Sequence, residues 1–289
     1  MKNGGICTVI QITCDSTCDL PEALCRACRI DVIPLGVNMG DDFRYDGVNV
    51  TASELYDYVQ RTGELPKTSA ISVGEYLERF GSFVSKGREV IHISLSGSIS
   101  SSYQNACIAA QSLGHVHVVD SQNLSTGSGH LAVMAAELAS QGRSPEQIVA
   151  ALEEAKPRVS VSFVLQTLDY LHKGGRCSGV AALGANLLKI HPEIVVDEGA
   201  MHVGRKYRGN MEKSISSYVK GCLEGRTDIQ HDLIIITHSG VPADLLEKVH
   251  QQVAALQPFA KIIETTAGST ISSHCGPNCL GLAFLRKQA

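Results

Sequence analysis

The segment from Ser94 to Tyr103 has the residue types best suited to binding a ligand. Six of its ten residues are serines, and it joins a predicted strand to a predicted helix. Backbone N–H groups at a helix N-terminus lack intrahelical partners and carry partial positive charge, which favours anions. One serine would be enough to cap the helix. The additional hydroxyls therefore indicate a site for a carboxylate or a phosphate.

Two other segments carry polar groups that could join such a site. Thr68 and Ser69 precede Ser72, which is predicted to cap the next helix, and capping is the simpler interpretation of this loop. His274 lies in a His-Cys-Gly-Pro-Asn stretch, where an imidazole could reach a ligand. A histidine on a surface loop is the more ordinary interpretation of that residue.

The patterns of common catalytic and metal sites are missing from the sequence. It contains neither G-x-x-x-x-G-K-[ST] nor G-x-S-x-G, the patterns of phosphate-binding loops and nucleophile elbows. Gly127–Ala132 loosely fits G-x-G-x-x-A but begins several residues after the preceding predicted strand, which argues against dinucleotide binding. Cys25 and Cys28 have metal-like spacing without a second pair. The ten cysteines are therefore interpreted as reduced, mostly buried thiols, and no catalytic or metal-binding residue is predicted.

Strands alternating with helices must position these polar loops. Apolar β-branched runs alternate with amphipathic segments along the whole chain, which predicts an α/β fold with mostly parallel sheets flanked by helices. We predict two domains, residues 1–157 and 158–289, with the last strand near Gly281–Leu285 free to join either sheet. In open α/β sheets ligands lie beyond the carboxyl ends of strands, which points to the loops after Thr13, Ser94, Asp120, Leu165 and Thr237.

Several predicted elements are specific enough to compare with the structure. A helix over Pro21–Cys28 is expected to be capped by Asp19, with Glu22 completing a capping box. Residues Asp31–Val37 are predicted to form one strand, and Ala181–Leu188 a helix.

Composition limits the class of protein. The 289 residues are 44% hydrophobic and 19% charged, with a net charge of −4, which is typical of a soluble globular protein. No apolar run is long enough to span a membrane, and the N-terminus lacks a secretory cleavage pattern, so a cytoplasmic location is expected. Without a basic stripe, nucleic-acid binding is not expected.

Taken in order, several loops resemble the motifs of one bacterial family. Asp15–Pro21 resembles D-S-T-x-D-L-P, Thr68–Ser72 resembles T-S-Q-P-S, and Val118–Ser121 matches V-V-D-S. Leu168–Ser178 resembles L-x-x-L-K-K-G-G-R-I-S, and His274–Pro277 resembles H-T-G-P. In these segments the chain resembles the DegV family over nearly its whole length.

The resemblance implies a two-domain α/β fold that holds one long-chain fatty acid, such as palmitate or a similar chain, in a tunnel between the domains. It also implies a carrier without a cofactor and without catalysis of its own, which presents the carboxylate to a separate fatty-acid kinase. Burial of each methylene contributes ~0.8 kcal/mol, so an apolar tunnel would supply the affinity.

The resemblance also assigns roles to particular residues. Thr68 matches the threonine that contacts the carboxylate in the family. The second contact in the family is the serine of an L-S-G motif, which is followed by T-Y-Q-S-A. When the family's Y-Q-S-A is aligned with Tyr103–Ala106, that serine falls at Ser100. The alternative is Ser96, because Leu95-Ser96-Gly97 is itself an L-S-G. His274 is expected beside the same head group, and Ser69 is a weaker candidate.

Two other functions stay open at this point. The first is a small-molecule enzyme, kinase-like or a hydrolase, that uses the same anion site with His274 or a cysteine. The second is a lipid sensor that acts only by protein contact.

Overall fold

The computed structural model describes residues 9–177 and 190–288. The predicted helix over Ala181–Leu188 lies outside the described residues. None of the described helices is long and apolar enough to cross a membrane.

The strands are β1 (Ile10–Asp15), β2 (Ile30–Ile33), β3 (Gly36–Met39), β4 (Asp42–Tyr45), β5 (Lys67–Ser69), β6 (Glu89–Ser94), β7 (Val116–Asp120), β8 (Val159–Val164), β9 (Ile190–Asp197), β10 (Ala200–Arg208), β11 (Ile229–His238), β12 (Lys261–Thr266) and β13 (Leu280–Arg286). The helices are α1 (Glu22–Cys28), α2 (Ala52–Thr62), α3 (Val73–Val84), α4 (Ser102–Leu113), α5 (Thr126–Ser140), α6 (Pro145–Ala155), α7 (Asp169–Gly174), α8 (Met211–Leu223), α9 (Ala243–Leu256) and α10 (Ser269–Cys275), with 3-10 turns at Ser16–Cys18 and Lys156–Arg158.

The first sheet is parallel throughout. Its strand order is β2-β1-β6-β7, and each neighbouring pair runs in the same direction. Ile12, Ile91 and Ile93 are almost fully buried in it, as expected for strands covered by helices on both faces. This sheet confirms the α/β prediction.

The second sheet is mixed, with the order β10-β9-β8-β13-β11-β12. Among these strands only β11 and β12 pair in parallel, because β9 and β10 form a hairpin and β13 runs antiparallel to both of its neighbours. The prediction of mostly parallel sheets therefore describes the first sheet and not this one. The last strand, which was free to join either sheet on sequence alone, lies in the middle of the second.

A third, small sheet has the order β4-β3-β5. The single strand predicted over Asp31–Val37 is wrong, because β2 ends at Ile33 and β3 begins at Gly36 in a different sheet. Pro34 lies at the break, where a residue without an N–H cannot continue a ladder. Strand β5 carries Thr68 and pairs with β3.

The helix caps predicted at Ser72 and at Asp19 had different outcomes. At α3, Ser72 Oγ accepts a hydrogen bond from the Glu75 N–H at 3.3 Å, and the Glu75 carboxylate accepts one from the Ser72 N–H at 2.7 Å, which confirms the prediction. The box predicted for α1 is wrong. The N-cap of α1 is Pro21, which makes no side-chain hydrogen bond, and Asp19 is buried with partners elsewhere in the fold.

Helix α5 joins the two large sheets. It packs against β1 and β6 of the first sheet and against β8 and β13 of the second. A Cβ at Gly127 would lie 2.5 Å from Val161 Cγ2, and a Cβ at Gly129 would lie 2.8 Å from the Cys18 carbonyl oxygen. The glycines of the G-x-G-x-x-A stretch therefore permit this close packing, which accounts for them without a dinucleotide.

One continuous hydrophobic core spans both large sheets. It includes Ile12 and Ile91 from the first sheet and Val196 and Ala283 from the second. Buried thiols, among them Cys14 and Cys275, contribute to it. Within residues 9–177 and 190–288, no group of three or more His, Cys, Asp or Glu side chains could hold a metal ion.

Candidate functional site

A cavity of about 310 Å³ lies where the loops of the first sheet meet α10 and the second sheet. Its volume is that of a small-molecule site, which is typically ~300–1,000 Å³. Thr68 and Ser69 of β5, Ser100 of the serine-rich loop and His274 of α10 all border it. Four of the five residues predicted from the sequence are thus brought to one cavity.

Thr68 and His274 form a direct pair at the cavity wall. Thr68 Oγ1 and His274 Nε2 are 2.9 Å apart, although the two residues are 206 positions apart in the chain. His274 lies in the last turn of α10, which ends at Cys275, and so it stands on a helix rather than in the loop expected from the sequence. The helix fixes the position of the imidazole against β5.

The His274 imidazole is neutral near pH 7. Burial lowers the pKa of His274 to about 4, and the positive charge of Arg176 contributes to the same shift. One ring nitrogen is then a donor and the other an acceptor. Nδ1 has no hydrogen-bond partner among the described residues. It faces Gly174, where an added Cβ would lie only 2.4 Å away.

Ser100 has a double role at the N-terminus of α4. Its hydroxyl accepts a hydrogen bond from the Ser102 N–H at 3.1 Å and lies 3.0 Å from Ser102 Oγ. Ser100 thus satisfies the first N–H of α4, whose N-cap residue is Ser101, while it borders the cavity. Ser102 Oγ also accepts from the Ile71 N–H at 3.3 Å, and Asn105 Nδ2 donates to the Ile71 carbonyl at 2.7 Å. These bonds tie the segment after Thr68 to the serine-rich loop.

Ser96, the alternative to Ser100, lies outside the group that borders the cavity. It is fully buried, and its hydroxyl donates to the Gly199 carbonyl at 2.7 Å. That bond anchors the hairpin of β9 and β10 to the loop after β6. The hydroxyl also accepts from the Ser98 N–H at 3.2 Å.

Four further polar residues border the cavity and were not among the predicted site residues: Thr17, Ser101, Arg176 and Thr270. Arg176 is exposed and donates to the Gly174 carbonyl at 2.5 Å. Thr17 and Thr270 are buried. Arg176 and Thr17 lie within motifs that carried the family resemblance, so these two positions could have been predicted from the sequence. Thr270 could be expected only as one of several hydroxyls in a Ser/Thr-rich segment.

The remaining walls of the cavity are largely apolar. A second cavity of about 40 Å³ shares several of these walls and lies beside the first, toward Val161 and Leu282 of the second sheet. The side chains common to both cavities are Leu124, Phe163, Ile271 and Cys275. The arrangement therefore has hydroxyls and an imidazole in one part and hydrocarbon in the rest.

A buried carboxylate holds the serine-rich loop. Asp15 accepts hydrogen bonds from the Leu95 N–H at 2.8 Å, from Tyr76 Oη at 2.6 Å and from Ser94 Oγ at 3.1 Å. His92 Nε2 lies 3.2 Å from Asp15 Oδ1. Burial by itself raises the pKa of Asp15, but the charge of His92 and these hydrogen bonds lower it below its ordinary value. Asp15 thus has a structural role beneath the loop.

Two more acidic side chains hold the N-terminal end of α10. Asp19 accepts from the Gly268 N–H at 2.8 Å and from Ser125 Oγ at 2.6 Å. Asp46 accepts from the Ser269 N–H at 2.7 Å. Burial raises the pKa of Asp19 to about 8, and the charge of Asp46 adds to the rise. The helix that carries His274 is therefore fixed at both ends.

Comparison with known proteins extends these observations. The family model described as "Uncharacterised protein, DegV family" matches residues 9–287. A DegV domain-containing protein of Clostridium acetobutylicum is 31% identical over 280 residues, which covers 96% of this chain and 99% of that protein. One similar solved structure is that of a DegV family protein from Thermus thermophilus, which is described as showing fatty acid binding. The two chains are 30% identical with a TM-score of 0.85, and the match covers 96% of this chain and all of that one. DegV of Bacillus subtilis, described as a fatty acid binding protein, shows 26% identity and a TM-score of 0.81, with 97% of this chain covered and all of that one.

Proposed function

The chain belongs to the DegV family, and we propose that it binds one long-chain fatty acid in the cavity between its sheets. The observation that carries the proposal is the pair formed by Thr68 and neutral His274 in a cavity that combines a hydroxyl-rich part with apolar walls. The descriptions of the Thermus thermophilus and Bacillus subtilis structures as fatty acid binding support it. We place the division between the two domains near residue 157.

The carboxylate is assigned to Thr68 and Ser100. When neutral His274 donates its Nε2–H to Thr68 Oγ1, the hydroxyl hydrogen of Thr68 is free to point at a ligand oxygen. The Ser100 hydroxyl accepts from the Ser102 N–H, so its own hydrogen can turn from Ser102 Oγ to the second carboxylate oxygen. Arg176 at the cavity wall supplies a compensating positive charge. Such partners are needed because a buried carboxylate without hydrogen bonds is costly.

The acyl chain is assigned to the apolar walls. Each methylene removed from water contributes ~0.8 kcal/mol, so affinity should rise with chain length until the space is filled. The smaller cavity behind Phe163 and Ile271 provides a path for the distal carbons. A chain such as palmitate is the proposed ligand.

We further propose that the protein is a cytoplasmic carrier, which does not itself turn over the fatty acid and presents the carboxylate to a separate fatty-acid kinase. The family resemblance of the loop motifs supports this role, as does a sequence without a phosphate-binding loop motif. Acyl phosphate should then form from ATP only when both a kinase of this class and the loaded carrier are present.

The direct test is native mass spectrometry of the purified protein, followed by solvent extraction and identification of the bound molecule. A mass increment that resolves to one fatty acid supports the proposal and identifies the chain. A protein that is empty, and that binds no added fatty acid after removal of lipid, refutes it. Hydrolase or ATPase turnover by the protein alone, lost in His274→Ala, would instead establish an enzyme.

A further inference from the structure

Two threonines that border the cavity have buried hydroxyls without a hydrogen-bond partner among the described residues. Thr17 is 0% exposed and Thr270 is 4% exposed, and both border the cavity. Neither Oγ1 atom has a hydrogen-bond partner in the part of the chain that the structure describes. Buried hydroxyls are almost always hydrogen-bonded, since loss of water without a replacement is unfavourable.

Thr270 differs from the serines of the same helix. Ser269 donates to the Val50 carbonyl at 3.1 Å, Ser272 to the Ala267 carbonyl at 3.2 Å, and Ser273 to the Ser269 carbonyl at 2.7 Å. The bonds of Ser272 and Ser273 thus go to carbonyls five and four residues earlier in the chain, whereas Thr270 lies in the first turn of α10. Thr270 Oγ1 makes no such bond among the described residues.

These hydroxyls are separate from the carboxylate group. Thr270 and His274 are four residues apart on α10, on the same face and about 6 Å apart along the helix axis. Thr17 belongs to the 3-10 turn that packs against α10. Thr68 and Ser100, by contrast, already have partners in His274 and Ser102. The cavity therefore has a second polar position about one helical turn from the first.

We propose that Thr17 and Thr270 form a polar subsite that hydrogen-bonds an oxygen atom on the acyl chain, several carbons from the carboxylate. The inference rests on the proposed function, because it places a fatty acid in the same cavity. The ligand class it specifies is long-chain fatty acids with a hydroxyl group in the carboxyl half of the chain. An unsubstituted chain leaves both threonines unpaired, and so it binds less tightly than the correct hydroxy acid.

The test compares palmitic acid with its positional hydroxy isomers in the full-length protein after lipid removal, by displacement of a fluorescent fatty acid. We expect at least one isomer to bind about fivefold more tightly than palmitic acid, the gain of one net hydrogen bond. Because a hydroxyl is otherwise penalised in an apolar cavity, such a gain requires a partner in the protein.

Variants locate that partner. Valine has the shape of threonine without the hydroxyl, so the double variant Thr17→Val and Thr270→Val should lose the preference while it still binds palmitic acid. Thr270→Ser keeps a hydroxyl and is the matched control, which should retain the preference. Thermal unfolding of each variant checks that it is folded.

Three results would overturn the inference. If palmitic acid binds and no isomer binds more tightly, the threonines hold a water molecule or nothing, and the proposed function still stands. This comparison needs only the parent protein. A preference that persists in the folded double variant would show that other groups recognise the hydroxyl. If no fatty acid binds to the parent, the proposed function fails first and the inference fails with it.

Discussion

Replacement of Gly174 by alanine should weaken ligand binding through His274 without any change in the residues assigned to the carboxylate. A Cβ at position 174 would lie 2.4 Å from His274 Nδ1 and 3.2 Å from Cε1, whereas real Cβ contacts essentially never fall under 3.0 Å. The imidazole must therefore retreat by about 0.6 Å, or α7 must shift by a similar amount.

The hydrogen bond to Thr68 should not survive this displacement. Its length is 2.9 Å, and the added Cβ would press on Nδ1, across the ring from Nε2. A retreat of about 0.6 Å would push Nε2 toward Thr68 Oγ1, below the ~2.7 Å lower limit of N–H···O distances, so the ring must turn or shift out of line with the hydroxyl. Loss of a net hydrogen bond costs ~0.5–1.5 kcal/mol, which corresponds to a Kd roughly 2- to 13-fold higher. Alanine in place of glycine in a helix adds ~0.5–1 kcal/mol of stability, which should offset part of the cost of moving the ring.

Fatty-acid affinity and thermal unfolding of lipid-free protein are the two measurements. Gly81→Ala in α3 is the matched control, because its Cβ would lie at an ordinary 3.8 Å from Leu113 Cδ2, away from the residues that border the cavity. Its Kd should equal that of the parent. A Gly174→Ala protein with parental affinity would refute the reasoning, because the imidazole would then not position Thr68.

Four further expectations follow from the same geometry. Thr68→Val removes a donor to a charged group and should raise the Kd about tenfold or more, as hydrogen bonds to charges contribute ~1.5–3 kcal/mol; unchanged affinity by calorimetry would exclude Thr68 from the head group. Ser100→Ala should also weaken binding, whereas Ser112→Ala on the exposed face of α4 should not, in the same titration. The pKa of Asp19 is raised by burial from 3.8 to about 8, so its contribution to the free energy of unfolding is full below pH 3.8 and disappears as the pH rises to 8. Urea denaturation of Asp19→Asn should show a smaller decline than the parent over that range, and parallel curves would contradict the assignment. The pKa of His274 is lowered by burial from 6.5 to about 4, so the contribution of His274 to the free energy of unfolding is present above pH 6.5 and is lost as the pH falls to 4. The His274→Gln protein should therefore lose less stability than the parent over that interval in the same urea denaturation. An equal loss would show that His274 is not buried in its neutral form.

Local structure could be predicted well from the sequence. The capping box of Ser72 and Glu75 joins residues only three positions apart, and the helices from α2 to α6 follow from patterns within a few turns. Interactions of this range depend little on the rest of the chain. The prediction failed at Asp19, because its carboxyl group hydrogen-bonds to Ser125 and Gly268, which are distant in the chain, and does not cap α1.

The chemical character of the site could also be predicted from the sequence. Serines and threonines beside predicted helix ends indicated an anion site, and the loop motifs indicated the family. The sequence could not predict which hydroxyls face the ligand, because each hydroxyl has several possible partners. Ser96 bonds to Gly199, 103 residues away, and only the packing of the hairpin against the loop decides this.

The sequence by itself determined the local elements, the hydroxyl-rich loop and the family to which its motifs belong. Tertiary structure alone decided that β13 lies between β8 and β11 and that Thr68 meets His274. It also decided that Thr17 and Thr270 border the cavity with no hydrogen-bond partner for their hydroxyls in the described part of the chain. The physical reason is that a contact between distant residues exists only once sheets and helices have packed. The composition of a segment records which bonds its residues are able to make, and packing selects among them.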